Sequence, residues 1–490
     1  MKDQTFSAKN FQIIFDTENR KGNDIEKRFP EIFNDSIEIR KTIKTLNQNI
    51  HRENDKTRKS ELKERRNTLK KEREKSIIEV LEQISSKVNK SGFAVNVLEG
   101  AVYGKTSYSL EKSVENVFLS KQLQQNISQT YKIRQSSRYE IVSLLINLIE
   151  DEFPKVIIRT DIKSFYESIP QNKVIQKIKE DNLLSLKTQR FIGEILKGYN
   201  SATGQTKDYK GVPRGVGVSA YLSELYMRAI DNRIKELPDL VFYARYVDDI
   251  IAVFTPEKEE KGLPKRYKGQ IKTIIDENNL SINDRKTIPI NLIPGLKSIE
   301  LNNSSCKSIE FLGYKIGSKK IEKEKKDGSG VETKYVLSVE MTENKLNRYK
   351  QKIKLAYDDF KNKKTRNRQR AFKLLLARMD YLSSNTKLRN NKSKVFVGIY
   401  YSSPFLQNAE SLEQLNKSSQ WRISRFGFTV EEKEKLSNCD FVKGFEEKKF
   451  KKLPLIKKTY KNHNANKSNS TNKGVLQFGL SEITKIWKNA

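Results

Sequence analysis

Val241-Phe242-Tyr243-Ala244-Arg245-Tyr246-Val247-Asp248-Asp249-Ile250-Ile251-Ala252-Val253-Phe254 is the stretch on which the fold turns. Two runs rich in β-branched and aromatic residues meet at a pair of acids, the pattern of a hairpin with Asp248 and Asp249 at its tip. Aspartate is ordinary turn chemistry. Two adjacent carboxylates also repel one another, and a divalent cation relieves that repulsion. A third carboxylate on a neighbouring strand is what separates a site from a solvated turn. Lys155-Val156-Ile157-Ile158-Arg159-Thr160-Asp161 offers it, a short buried strand ending on Asp161, with a helix-like stretch after it from Ile162 to Pro170. Paired beside the hairpin, that strand brings Asp161, Asp248 and Asp249 to one edge of a sheet. Two magnesium ions about 3.5–4 Å apart on such carboxylates are what nucleotidyl transfer requires.

Three more stretches follow in series: Gly211-Val212-Pro213-Arg214-Gly215-Val216-Gly217-Val218-Ser219, Leu280-Ser281-Ile282-Asn283-Asp284-Arg285-Lys286-Thr287, and Phe311-Leu312-Gly313-Tyr314. Asp161 with Phe165-Tyr166, the glycine-bearing stretch and Tyr246-Val247-Asp248-Asp249 resemble, in order, the palm motifs of reverse transcriptases. The segment around Lys286 resembles the one whose lysine lies near the incoming triphosphate, and Phe311-Leu312-Gly313-Tyr314 resembles the primer-grip turn. The match spans about residues 155–316. It implies an α+β right-hand polymerase: a palm sheet with fingers and a helical thumb, joined to a helical N-terminal region and a C-terminal extension.

The resemblance also implies roles. Asp161, Ile162, Asp248 and Asp249 form the metal-holding set, for two Mg²⁺ or, alternatively, Mn²⁺. Asp161, Asp248, Asp249 and Lys286 are the catalytic set, with Lys286 donating a proton to the departing pyrophosphate or neutralising it; such an acid is worth roughly 10²–10⁴ in rate. Tyr166, beside Phe165, packs under the sugar and excludes a 2′-hydroxyl, favouring dNTPs over NTPs. Gly211, Gly215 and Gly217 shape a tight loop entering a helix, suited to close approach by a base pair or phosphate. Most of the family carries Gln at Arg214 and Pro at Ala220. Arg214 is thus open to binding a template phosphate or base edge, or to restricting which template is accepted. Tyr246 and Val247 lie beneath the primer terminus, Gly313 holds it, and Phe311 and Leu312 pack as core of that grip. Lys132, Arg134 and Arg138, close together ahead of a helix from about 139 to 151, are candidates to grip triphosphate oxygens.

The 490-residue chain, 57.0 kDa with a formal charge of +34, favours a polyanion through counterion release. No apolar run approaches the ~20 residues that span a bilayer, and the N-terminus lacks a signal-peptide core. Nucleic acid in the cytoplasm, without a membrane, is the expected setting. The only cysteines, Cys306 and Cys439, and the only histidines, His51 and His463, are too scattered for a zinc site. A disulfide is not expected in a reducing compartment. Any metal must therefore sit on carboxylates.

Residues 1–99 are expected to be a charged, largely helical region. Residues 100–155 and 171–210 would form the fingers, 156–170 and 211–318 the palm, 319–390 the thumb, and 391–490 an extension with a mobile basic tail at 447–476. In the first region Ile39, Ile43, Leu46 and Ile50 make a helical stripe, resumed by Ile77, Val80, Leu81 and Ile84. This reads as a helical hairpin or one long helix, either a surface for self-association or a partner protein, or a solvated arm. Two helices are expected over 172–198, a polar loop over Gly198–Gly211, and a helix from Val218 to Leu237 with Leu222, Leu225, Tyr226, Ala229 and Ile230 on one face. Lys320–Gly330 reads as a charged loop, 342–361 and 366–383 as thumb helices, and Val395–Tyr401 as a packed element.

The Asn-Ala-x-x-His and Val-Thr-Gly elements of retron enzymes are missing, and no ligands for a His-rich nuclease or acidic cluster of an RNase H follow residue 340. By that exclusion, with Arg214 and the two terminal regions, the chain looks most like bacterial anti-phage and abortive-infection reverse transcriptases. That likeness implies dNTPs, a DNA product and an RNA template, either a dedicated non-coding RNA or none at all. Untemplated or protein-primed synthesis by the same site, and a non-catalytic RNA-binding scaffold, are the rival readings. With 20 tyrosines no priming residue stands out.

Overall fold

The computed structural model describes residues 3–102, 104–151, 153–324, 330–388, 395–452 and 478–487. Four helices begin the chain: α1 (Ala8–Arg20), α2 (Ile25–Arg28), α3 (Asn34–Arg52) and α4 (Lys56–Asn89). Asp55 ends the turn after α3 and caps α4, accepting from Arg58 N–H at 2.7 Å, so the charged stretch is a helical hairpin rather than one helix. Leu46, Ile50, Ile77, Leu81 and Ile84 are its buried seam. Glu26 is 1% exposed and is bonded by Arg40, Arg73 and Ser36.

A hairpin follows, β1 (Val97–Val102) and β2 (Lys105–Leu110), then α5 (Val114–Thr130), α6 (Arg138–Glu150), β3 (Val156–Asp161), α7 (Phe165–Ser168), α8 (Gln171–Asp181), α9 (Leu186–Thr203) and α10 (Gly217–Lys235). The helix expected after Asp161 is only the single turn α7, because Ser164 sits at φ 47 in the left-handed region and breaks it. α9 runs on to Thr203 through the expected loop. Gly198 does not end it but lets it pack, since a Cβ there would lie 3.0 Å from Val97 Cγ2. On α10 Leu222, Leu225 and Ile230 are buried as expected, whereas Ala229 is exposed and Met227 is buried in its stead. The helix packs on α5 as well as α8, which rotates its apolar face.

β4 (Leu240–Tyr246) and β5 (Asp249–Phe254) are followed by α11 (Leu263–Glu277), β6 (Ile288–Asn291), β7 (Ile309–Phe311), β8 (Tyr314–Glu324) and β9 (Val331–Met341). The palm sheet has the order β4–β5–β3–β6, with β3 antiparallel to β6. Its middle strands are buried along their length, so Ile157, Ile158, Ile250, Ile251 and Val253 form its core. Lys320–Glu324 is strand, not loop: the β8–β9 register continues out to Glu324 opposite Val331. Backbone pairing needs no apolar side chains, and those residues point into solvent. Residues 325–329 lie outside the described residues.

α12 (Glu343–Ser383) is two helices joined at Asn367, whose φ −160 and ψ 91 break it where the sequence separates them. The Asn367 side chain caps the second half, accepting from Arg370 N–H at 2.9 Å. β10 (Asn385–Lys387), β11 (Phe396–Gly398), α13 (Glu410–Arg425), α14 (Val430–Ser437), α15 (Phe441–Glu446), β12 (Phe450–Lys452) and α16 (Leu480–Thr484) complete the chain. The apolar run at 395–401 is a packed element, with β11 antiparallel and β12 parallel to β10. Most of the expected mobile tail, residues 453–476, lies outside the described residues.

Two compact units emerge, one of residues 1–136, 160–250 and 266–287, the other of 137–159, 251–265 and 288–490. Among the described residues no helix is long and apolar enough to cross a membrane, and Cys306 and Cys439 are not joined in a disulfide.

Candidate active site

Asp161 closes β3, and backbone bonds fix that strand end on two sides. Ile162 N–H donates to Asp248 O at 3.1 Å, and Lys163 N–H donates to Ser281 O at 2.8 Å. Asn283 N–H donates to Asp161 O at 2.8 Å, and Ile162 bridges Ile282. Lys286 and Thr287 both donate their N–H to Asn283 O at 2.9 Å, a tight turn that aims Lys286 at the acids. Lys286 Nζ lies 3.2 Å from Asp161 Oδ2. The Thr160 and Thr287 hydroxyls, 2.7 Å apart, tie the two segments together from inside.

Asp161 is 5% exposed, and its Oδ1 is buried without a hydrogen-bond partner. Such an orphan costs about 1–3 kcal/mol, and a carboxylate oxygen is the hard donor that Mg²⁺ or Mn²⁺ takes. Asp248 lies in the β4–β5 turn and Asp249 opens β5, both half-buried. The strand ends meet as expected, but the carboxylates are not gathered. Among the described residues no three His, Cys, Asp or Glu side chains stand close enough to hold an ion. Like charges keep apart, and Asp161 engages Lys286. By donor type the residues nonetheless fit an oxygen-seeking cation. Ile162 is 1% exposed and aliphatic, so it offers only its main-chain carbonyl.

The turn that carries the acids is strained, for β-branched Val247 adopts φ 61. Arg245, 6% exposed, restrains it by donating from Nη1 to Val247 O at 2.8 Å. The same guanidinium donates to Asp231 Oδ1 and Oδ2 at 2.9 and 2.8 Å, and to Glu224 Oε1 and Oε2 at 3.0 and 2.7 Å. Both acids stand on α10, so Arg245 ties the turn to that helix. Burial opposes its charge, but the bonds to Asp231 and Glu224 win and raise its pKa. Tyr243 also donates to Asp231 Oδ1, at 2.7 Å. Sequence reading passed over this clamp; the available signal was a lone cation inside an apolar strand.

Tyr166 is half-buried, and burial first, then the charge of Asp248, raises its phenol pKa, so it stays neutral beside the acids. Phe165 is 2% exposed and packs edge-on against Tyr166 at 5.2 Å, which makes it a support for that ring rather than a surface for a nucleotide. The Gly211 loop runs alongside: Val212 N–H donates to Tyr166 O, and Gly211 N–H to Ile169 O, each at 2.7 Å. Arg214 consequently lies over Tyr166, 5.8 Å from the ring centroid, with Nη2 3.0 Å from Glu167 Oε1. Its Nε is buried without a partner. The guanidinium of Arg214 is thus engaged by Glu167 and the Tyr166 ring of its own chain.

The loop glycines are also required by the packing of this chain. Gly215 has φ 101, and a Cβ there would sit 2.5 Å from Ser107 Oγ and 2.6 Å from Tyr108 O. Tyr108 N–H donates to Arg214 O at 2.6 Å. Gly215 thus lets the loop approach β2 of this chain. Gly211, with φ 89, likewise approaches Glu167 and Tyr199. Tyr246, at the hairpin tip, is 36% exposed.

Lys132, at φ 51, and Arg134 are exposed on the α5–α6 loop. Arg138 belongs to the other unit, where it opens α6 and lies 5.4 Å over the Tyr314 ring. Phe311 is buried as expected, whereas Leu312 (φ 46), expected as core, is only half-buried because it makes the β7–β8 turn with Gly313 (φ 79). Lys345 also stands over this ring, 4.9 Å from the Tyr314 centroid, and donates to Ser402 O at 2.8 Å. Burial, then the Arg138 charge, pushes its ammonium down to about 7.

Residues 108–316 match the family described as reverse transcriptase (RNA-dependent DNA polymerase). The chain carries a reverse transcriptase domain. Its fold is α+β, of the right-hand polymerase kind, and the domain is that of an RNA-directed DNA polymerase. Enzymes with this domain generally use divalent cations. Among solved structures, the chain is similar to telomerase from Candida albicans in complex with a TWJ fragment of telomeric RNA, at 14% identity and a TM-score of 0.35. The likeness covers 65% of this chain and 56% of that one. Apo telomerase from Candida tropicalis matches at 13% identity and a TM-score of 0.33, over 72% of this chain and 63% of that one. No curated protein matches the sequence.

Proposed function

We propose that the reverse transcriptase domain synthesises DNA on an RNA template by two-metal nucleotidyl transfer, in bacterial anti-phage defence in the cytoplasm. The observation that carries the chemistry is the Ile162 N–H to Asp248 O bond, which brings Asp161 to the acidic turn with Lys286 at its side. Asp161, Asp248, Asp249 and the Ile162 carbonyl would hold the ions, Mg²⁺ foremost. Bound there, they activate a primer hydroxyl and neutralise the leaving pyrophosphate. The chain's own residues do the rest. Lys286, with its side chain 59% exposed, holds its ammonium beside Asp161 for the charge that develops on the leaving group. The Tyr166 ring, braced by Phe165, faces the sugar and rejects a 2′-hydroxyl. Arg245 holds the Asp248 turn in register. The anti-phage setting rests on the exclusion of other reverse transcriptase classes by motif.

The deciding experiment is incorporation of each labelled dNTP and NTP with Mg²⁺, with and without an RNA template and primer. It is run beside the Asp248→Asn/Asp249→Asn variant. Incorporation of dNTPs that needs RNA and vanishes in the variant supports the proposal. Variant-sensitive incorporation without template, after nuclease treatment, replaces it with untemplated or self-primed synthesis. A variant as active as the parent sinks the site, and RNA binding without any incorporation moves the reading to a scaffold.

A further inference from the structure

We propose that the three-stranded sheet β11–β10–β12 is a stacking platform for single-stranded nucleic acid, a second binding site in the part of the chain that follows the polymerase motifs. The register sets one face. Lys387 of β10 stands opposite Phe396 of β11, and Asn385, two residues back on the same face, stands opposite Phe450 of β12. Phe396, Lys387 and Phe450 therefore share a side. The two rings meet edge-to-face at 5.2 Å, and Tyr401 stacks on Phe396 at 5.1 Å with 24° between the planes. Lys387 Nζ sits over both phenylalanines, 5.5 Å from the Phe396 centroid and 5.8 Å from that of Phe450. Among the described residues it makes no ion pair.

These rings are not core. Phe450 is 41% exposed, Tyr401 38% and Val395 37%, in a protein whose other large aromatic side chains are mostly buried. Lys448 and Lys449, both exposed, come just before Phe450, and Lys448 Nζ lies 5.1 Å from the Tyr400 centroid. Open rings that stack bases, with cations beside them to meet phosphates, are how sequence-tolerant proteins hold single strands. A duplex hides its base faces and cannot use the rings. A protein partner would need carboxylates spaced beside apolar side chains to use both the rings and the lysines, whereas every nucleotide carries a base face and a phosphate. Charge complementarity therefore favours the nucleic acid.

The test uses the full chain and a fluorescein-labelled 12-nucleotide oligodeoxyuridine carrying 5-iodouracil. Irradiation should join the probe to peptides containing Phe396–Tyr401 or Phe450, which needs no variant. The Tyr401→Ser/Phe450→Ser variant changes exposed rings and should lose about tenfold in affinity, in line with the loss of one or two base stacks. Lys417→Gln removes a like charge from the exposed side of α13 and should change affinity far less. A duplex of equal length should compete poorly with the cross-link. Cross-links elsewhere only, with unchanged affinity in the ring variant, would overturn the proposal. So would equal competition by duplex. A sedimentation shift to dimer that the ring variant abolishes, without any cross-link at the sheet, would assign the face to self-association.

Discussion

Arg245 shows how much one side chain can decide. It is nearly inaccessible, satisfies two carboxylates from α10 and holds the strained Val247 carbonyl. Removing one partner of such a network strands buried charge, at a cost of roughly 3–5 kcal/mol. Arg245→Met should therefore lower the urea midpoint strongly and lose activity along with stability; a midpoint equal to the parent's would remove the clamp from the mechanism. Tyr166→Ala should leave the fold intact, since the ring is only half-buried, and should admit ribonucleotides. Unchanged sugar selection in single-nucleotide incorporation would move the gate elsewhere. Lys345 gives a pH signature. Its ammonium falls from 10.5 to about 7 in the folded chain. Between those values the unfolded chain carries a proton that the native one lacks, so stability rises with pH across that window, and the cost of the buried charge is felt in full below about 7. Lys345→Met should thus gain stability relative to the parent at about pH 6 and lose that advantage by about pH 9.5, read as urea midpoints. The three acids and Lys286 could be picked out as candidates because the motif residues come in recognisable order. Arg245 was not, because its partners Glu224 and Asp231 lie on another element.

Among the elements, the loop at 211–216 is the clearest case of a glycine set by the chain's own packing. Gly215→Ala would place a methyl group against Ser107 and Tyr108 at a backbone angle that L-residues rarely adopt. Strain of this kind costs about 1–3 kcal/mol. The variant should lower the thermal midpoint and disturb Arg214, seen as a shift in KM for dNTP; normal values for both would mean that the loop relaxes freely. The β4–β5 hairpin, β3 and the two halves of α12 could be read from periodicity, since each is a local pattern. The length of α9 could not. Gly198 looks like a breaker until Val97 is known to lie against it. Nor could the reach of β8 and β9, because paired backbones tolerate charges that look like loop.

For the molecule as a whole, the charge of +34 sets the mode of association. RNA affinity should fall steeply and log-linearly with salt, by about one decade per decade of salt for each phosphate neutralised. Filter binding across a salt series, with the Asp248→Asn/Asp249→Asn variant alongside, should give the same slope for both proteins. A flat salt dependence would contradict a phosphate-dominated interface. The helical hairpin α3–α4 adds exposed cations to this field around its buried seam.

Composition pointed to a polyanion partner, local periodicity placed acids on a hairpin and a strand end, and the resemblance of the motifs to those of reverse transcriptases implied a nucleic-acid polymerase. Each of those signals lies within a few residues of chain, or in the chain's total charge. The clamp on Val247, the Arg214–Glu167–Tyr166 cluster, the lysine beside Tyr314 and the aromatic sheet join residues from separate elements. They arise from burial and pairing across the fold, where the energy of a side chain depends on what distant parts of the chain bring against it.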